Sequence, residues 1–366
     1  MKTTYFGWLL LLFVSGALTA QTCDSSMSVT CDCASKDLSP AGIMLGHEHP
    51  KGGWKISYRY MSMYSKGNAT STNAEGDPIA TKSVDDNYMF NYYLMSPQNM
   101  RMDMHMVMAM YGITNRLSVM AMFNYNIMTM NMNMLPGTMH MHMDGGTMVM
   151  TADDNSSMRS HSSGFGDTKL YAVYSLVNKK IHHVILSTGL NLPTGSIRVK
   201  GASDDMMYAN SRLPYMMQMG SGSVDFMPGV TYLLKANKFS FSTQVTTILR
   251  TNNSLGYRLG NEYSLNIWGA YQWFPWISTS VRMEGNSVGI IVGKDASLYN
   301  VEPAADPMSY GGENINGYIG LNFYLNKGFL KNNKLSVEYG MPLYEKFNGI
   351  QLMPRSTIYA EWMISF

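Results

Sequence analysis

Met139-His140-Met141-His142-Met143 places five soft-metal donors in five consecutive residues. Thioethers are neutral, polarizable ligands that select Cu(I) over hard cations, and imidazole adds affinity for Cu(II). Thioethers also bind without releasing a proton, which suits capture and hand-over. The same chemistry runs through the flanking sequence, since residues 100–150 hold 17 of the chain's 36 methionines. Met120, Met122, Met128, Met130, Met132 and Met134 precede the pentapeptide, and Met104-His105-Met106 lies further upstream. A second candidate is Gly46-His47-Glu48-His49-Pro50, where His47 and His49 fall on one side of an extended segment. Each has a plainer alternative. Methionine is a flexible apolar filler, and the His47/His49 stretch also reads as a solvated linker. In a loop, however, exposed methionine is costly and oxidisable, which favours metal contact over residues 130–150.

Strand parity decides where such side chains point. Over 117–130, Leu117, Val119, Ala121, Phe123, Tyr125 and Ile127 alternate with Ser118, Met120, Met122, Asn124, Asn126, Met128 and Met130. The Ser and Asn residues mark the second face as lumenal in a barrel, and its methionines go inward with them. Lys55, Ser57, Arg59, Met61 and Met63 form a similar face, and Met227 and Met363 also fall on polar faces. The run 101–111 is ambiguous. Pairing Tyr111 with Leu117 sets Met106 opposite Met122 and Met108 opposite Met120, a ladder inside the barrel. A slip of one residue turns those methionines to lipid.

Twelve such runs are expected, near 53–64, 101–111, 117–130, 167–177, 181–192, 223–235, 238–250, 261–273, 276–284, 314–325, 334–344 and 355–366. Short connections alternate with long ones, the asymmetry of periplasmic turns and external loops. The last run ends on Phe366 after strict alternation through Ile358, Ala360, Trp362 and Ile364. The expected fold is therefore all-β: a transmembrane antiparallel up-and-down barrel of about twelve strands (ten to fourteen), both termini periplasmic, in the bacterial outer membrane. Lys2, an apolar stretch over 8–14 and the small residues before Gln21 read as a signal peptide over 1–20. Residues 21–52 then form a periplasmic segment where a partner could dock, and 53–366 the barrel with its Met-rich external loops. Cys23, Cys31 and Cys33 leave two readings open, a disulfide in a tail or a soft-metal cluster. A net charge of +2 gives no field for nucleic acid. No later segment offers the apolar length of a membrane helix.

Several stretches resemble a family of bacterial outer-membrane barrels, known as transporters and related to the proteins named after the meta pathway of phenol degradation. They include Gly46 to Trp54, Met102-Asp103-Met104-His105-Met106, Ser163-Gly164-Phe165-Gly166-Asp167-Thr168, Leu192-Pro193-Thr194-Gly195-Ser196-Ile197, Leu213 to Gly222 and Phe226 to Tyr232. The resemblance implies the barrel fold, and its phenol label implies passage of small aromatics.

Two functions follow. One is a transporter handling copper or silver as cargo through the Met and His ligands above, with Lys55, Arg59, Met61, Met63, Met227, Tyr318 and Tyr324 lining the path. The other is a passive importer of small hydrophobic or aromatic compounds, with Tyr171, Trp268, Tyr318, Tyr324 and the methionines as a greasy path. The partners are outer-membrane lipid and a small solute or metal ion, and no resident cofactor is needed. An enzyme is not expected, because no Ser, His and carboxylate share a depth on adjacent strand faces.

Overall fold

The computed structural model describes residues 37–46, 49–75, 93–135, 138–144, 147–153, 157–201, 211–298, 302–325 and 328–366. Among these, the side chains of 73–75, 138–144, 147–153 and Phe329 lie outside the description. So do the signal segment, Cys23, Cys31, Cys33, His47 and Glu48.

Seventeen strands follow in order: β1 (Trp54–Ser71), β2 (Asn73–Glu75), β3 (Met95–Gly112), β4 (Leu117–Met134), β5 (Thr138–Asp144), β6 (Thr147–Asp153), β7 (Ser157–Phe165), β8 (Thr168–Asn178), β9 (His182–Leu192), β10 (Asp225–Ala236), β11 (Phe239–Ile248), β12 (Tyr257–Arg258), β13 (Glu262–Phe274), β14 (Ile277–Val288), β15 (Val292–Gly293), β16 (Gly312–Leu325) and β17 (Asn333–Ser365). Eleven of them, β1, β3, β4, β8–β11, β13, β14, β16 and β17, close into one antiparallel ring, sealed by β17 against β1. β7 continues β8 along β4, and β2 is bonded outside the ring on β1.

A ring in which every neighbour is antiparallel needs an even number of passes. β17 supplies the twelfth. Its residues 333–347 pair with β16, while 351–365 pair with β1. The halves come together where Ser365 N–H donates to the Asn332 carbonyl (3.2 Å) and Trp362 Nε1 to Asn333 Oδ1 (2.7 Å). The reversal falls at Asn348-Gly349, where Gly349 has φ +115°, a conformation open to glycine. The first strand begins beside the last residue at the short-turn end: Trp54 and Phe366 exchange backbone hydrogen bonds of 3.3 and 2.9 Å. Closure removes the unpaired edges that an open sheet would present.

The expected runs are all present, but several extend further. β1 continues to Ser71, β3 begins at Met95, and β4 reaches Met134, so one side of the barrel stands taller than β8–β11. The stretch expected as an open external loop is partly sheet: β7 returns along β4, and β5 and β6 form a separate hairpin pairing Met141 with Met150 and Met143 with Met148. Long polar-apolar alternation, with Asn and Thr outward, lets pairing outlast the apolar band.

Candidate functional site

One wall of the lumen is thioether. Met106, Met108 and Met110 on β3 and Met120, Met122, Met128, Met130, Met132 and Met134 on β4 are all buried, while Val107, Val119 and Phe123 between them are exposed. Cross-strand register sets Met100 against Met130, Met102 against Met128, Met108 against Met122 and Met110 against Met120. β1 adds Met61 opposite Met104 and Met63 opposite Met102. The register differs from expectation by two residues, for Tyr111 pairs with Val119 rather than Leu117. Ile113 and Thr114 N–H both bond to the Leu117 carbonyl, so the turn takes up Leu117 and pairing starts further along. A shift of two keeps every side chain on its face, and the ladder survives with new partners.

The wall across the ring, from β14, β16 and β17, is charged. Arg282 donates to Glu338 (2.8 and 3.3 Å) and Asn266 (2.8 Å), lies 3.5 Å from Glu284, and stacks 3.7 Å over the Tyr318 ring. Tyr318 in turn donates to Glu284 at 2.8 Å. Closer to β1, Arg59 pairs with Glu361 at 3.1 Å. These ions are almost wholly removed from water, so each depends on its partners.

Residues 37–46 enter between the two walls. Their backbone is held by the charged side: Gly42 N–H donates to Glu338 (2.7 Å), Arg59 to the Ile43 carbonyl (2.9 Å), Lys334 to the Ser39 carbonyl (2.7 Å), and Tyr324 to the Asp37 carbonyl (3.0 Å). Their side chains meet the soft side, with Ile43 and Leu45 packed among Met110, Met120, Tyr171 and Trp268. Met44, Lys55, Ser57, Met108, Met110, Met120 and Glu361 surround a small cavity.

The other end of the lumen is filled by the connection between β9 and β10. Its Leu213, Met217 and Met219 pack on Met100, Met128, Met130, Met132 and Met158. Two carboxylates latch it down. Asp167 accepts from Gly195 N–H (2.9 Å), Ser221 N–H (2.7 Å), Ser221 Oγ (2.8 Å) and Asn191 (2.8 Å). Asp225 accepts from Arg250 at 2.7 Å and Ser223 Oγ at 2.6 Å. Gly166, beside Asp167, touches β4 so closely that a Cβ there would sit 2.1 Å from Asn124 Nδ2. Above it Tyr215 meets Tyr257 and Tyr310 edge-on, with centroids 4.8 and 5.7 Å apart. In this cap the Glu302 carboxyl is pushed up to about 7 by burial.

Lys55, Arg59, Met227, Tyr318 and Tyr324 are buried on the inward face, with Met61 and Met63 half-buried beside them. Tyr171 and Trp268 are buried there too. His105 is the exception among the proposed ligands. It shares a strand with Met104 and Met106 but points outward, where Nδ1 bonds to Tyr58 OH at 2.7 Å. Adjacent residues of a strand cannot converge on one ion. His49 is buried beside Gly112 at the short-turn end, just past the Met110–Met120 rung. For Met139, His140, Met141, His142 and Met143 only the backbone is described. Among the described residues no group of three His, Cys, Asp or Glu could hold a metal ion.

Two parts of the site escaped sequence reasoning, the segment 37–46 and the inward β9–β10 connection. Signals existed: Leu38, Ala41, Ile43 and Leu45 are apolar in a stretch read as a periplasmic segment, and Leu213-Pro214-Tyr215-Met216-Met217 is apolar for an exposed loop.

A family model described as "Putative MetA-pathway of phenol degradation" matches residues 130–287, the stretch that holds the motifs at 163–168, 192–197, 213–222 and 226–232. No curated protein matches the chain. Among solved structures, it is similar to an outer membrane channel from Pseudomonas putida F1, at 13% identity and TM-score 0.53, covering 87% of this chain and 97% of that one. A FadL homologue of Pseudomonas aeruginosa aligns at 8% identity and TM-score 0.40, over 86% of this chain and 89% of that one. A variant of TodX, a monoaromatic hydrocarbon channel, aligns at 9% identity and TM-score 0.39, over 87% of this chain and 90% of that one. The fold is shared with that outer-membrane barrel of Pseudomonas putida, and a closed ring with an apolar outward band is the form in which strands cross the bacterial outer membrane.

Proposed function

Taking the chain as an outer-membrane barrel of the kind that family model describes, we propose that it admits small, weakly polar aromatic compounds. The stripe of buried methionines on β3 and β4, joined at one end to Tyr171 and Trp268, carries this reading. Thioethers adapt their shape and gain about 0.3–1.5 kcal/mol from contact with an aromatic ring. Such a lining solvates a flat apolar solute without directional bonds that would hold it. The phenol label of the matching family model points the same way. The test is uptake of phenol from dilute medium by cells with the wild-type chain, with Met120→Asp, or with none. A carboxylate in the stripe is costly to desolvate, so uptake should fall at least about tenfold with Met120→Asp. Equal uptake in all three strains overturns the proposal.

A second reading, copper or silver as cargo, is supported by the adjacent thioether pairs of β3 and β4. Titrating purified protein with Cu(I) should show binding that is lost when Met120, Met122, Met128 and Met130 become Leu. Equal binding by both proteins retires the metal reading and leaves the aromatic one standing.

A further inference from the structure

The outer face of the tall side changes character along its height. Toward the short-turn end it is apolar, with Ile56, Val107, Val119 and Phe123 exposed. Tyr60, Tyr125 and Phe165 follow as an aromatic girdle, in register across β1, β3, β4 and β7 through His105. Beyond them the same face carries exposed Lys66, Arg101, Arg159 and His161, and the Arg101 side chain is 61% exposed. Register sets them in one band across adjacent strands. Lys66 lies opposite Asn99, Arg101 opposite Thr129, Thr129 opposite His161 and Asn131 opposite Arg159. Exposed Arg355 joins from β17, its Nε donating to the Lys66 carbonyl at 3.0 Å.

Asp103 is the acidic member of the band among the described residues, bonded by Arg101 (2.9 Å) and by Tyr60 OH (2.6 Å). Lys66, Arg101 and Arg159 against Asp103 leave a surplus of two positive charges (3 − 1) with His161 neutral, and Arg355 lies within charge range of Glu345. On β9, β10, β11 and β13 the outward face remains apolar to its loop end, at Leu190, Phe226, Val245 and Tyr263, while β16 and β17 carry there the neutralising pair Glu313–Lys346. The height of the band is set by the outward run from Leu117 to Ile127, which at a tilt of about 40° spans roughly the 25 Å apolar belt of such barrels. With the short turns periplasmic, Arg101 and Arg159 stand at the outer-leaflet headgroups.

We propose that this band docks the phosphates of the phosphorylated glycolipid of the outer leaflet. Guanidiniums bind phosphate oxygens in paired hydrogen bonds, and the Asp103 contact orients Arg101 without cancelling the patch. The aromatic girdle beneath suits the junction of headgroup and acyl chain, where amphipathic rings settle.

The test adds lipid A to the detergent-solubilised full chain and counts retained molecules by native mass spectrometry, with dephosphorylated lipid A and inorganic phosphate as further arms. Wild type should retain lipid A with at least about tenfold preference over the dephosphorylated form. Arg101→Gln with Arg159→Gln should lose that preference. Equal retention of both lipids by wild type overturns the proposal, as does undiminished preference in the double variant. Binding of inorganic phosphate with no lipid preference also overturns it, since it reassigns the patch to free anions. The wild-type comparison of the two lipids decides the matter even if the double variant folds poorly.

Discussion

The methionine wall and the charged wall enclose the same lumen under opposite physical rules. On β3 and β4, contacts are made by thioethers with three rotatable bonds, so one partner can replace another at small cost. On β14, β16 and β17, Arg282 has Glu338, Asn266 and the Tyr318 ring each at an assigned position. Moving any of them leaves a buried charge short of a partner. The segment 37–46 exploits both, with backbone pinned to the charged side and side chains resting on the soft side. In the proposed function the methionine wall is the side that yields to a solute, while the opposite wall holds the frame.

The largest expected effect comes from Glu338→Ala, which strands Arg282 and the Gly42 N–H. It should destabilise the barrel by about 3–5 kcal/mol, read as the urea midpoint of heat-modifiable mobility. A loss smaller than that of Met130→Ala would break the contrast between walls. Met130 is fully buried, and its Ala variant should lose about 2–5 kcal/mol through the cavity left behind. Met130→Leu should cost less than about 1.5 kcal/mol, because volume is nearly kept; a Leu penalty as large as the Ala one would mean that sulfur itself is needed there.

Lys334→Met removes the bonds to the Ser39 carbonyl and to Asp37, 2.7 and 3.4 Å long. It should cost about 1–3 kcal/mol, seen as faster protease cleavage within 37–46 on an intact barrel. Unchanged cleavage would show that the soft side alone holds the segment. The smallest effect lies in the cap. Since the Glu302 carboxyl is raised to about 7 in the folded cap, the folded state holds its proton where the unfolded chain, near 4.5, has lost it. Stability from Glu302 is full below about pH 4.5 and fades as pH rises through 7. Protection factors in residues 302–311, with the intrinsic pH dependence of amide exchange divided out, should fall over that window in wild type and stay flat in Glu302→Gln; a flat wild type would put Glu302 in contact with water.

Much of this was legible beforehand. Every expected strand is present, and Met120, Met122, Met128 and Met130 face inward as their Ser and Asn companions on β4 indicated. The neighbours of Met106 were misjudged because turn 113–117 consumes Leu117, a detail of hydrogen bonding that alternation does not carry. His105 was grouped with Met104 and Met106 by proximity along the chain, and strand geometry separates them. Asp167 and Gly195 stood out as parts of motifs, yet their bond to each other joins the ends of different strands.

Sequence alone determined the barrel and the direction of nearly every wall residue. A strand repeats every two residues, so parity is written locally and survives an even slip in register. Only the tertiary structure decided what fills the lumen. The segment 37–46 and the β9–β10 connection have no strand period, and their places depend on partners such as Glu338, Arg59 and Asp167 that ring closure alone brings within reach.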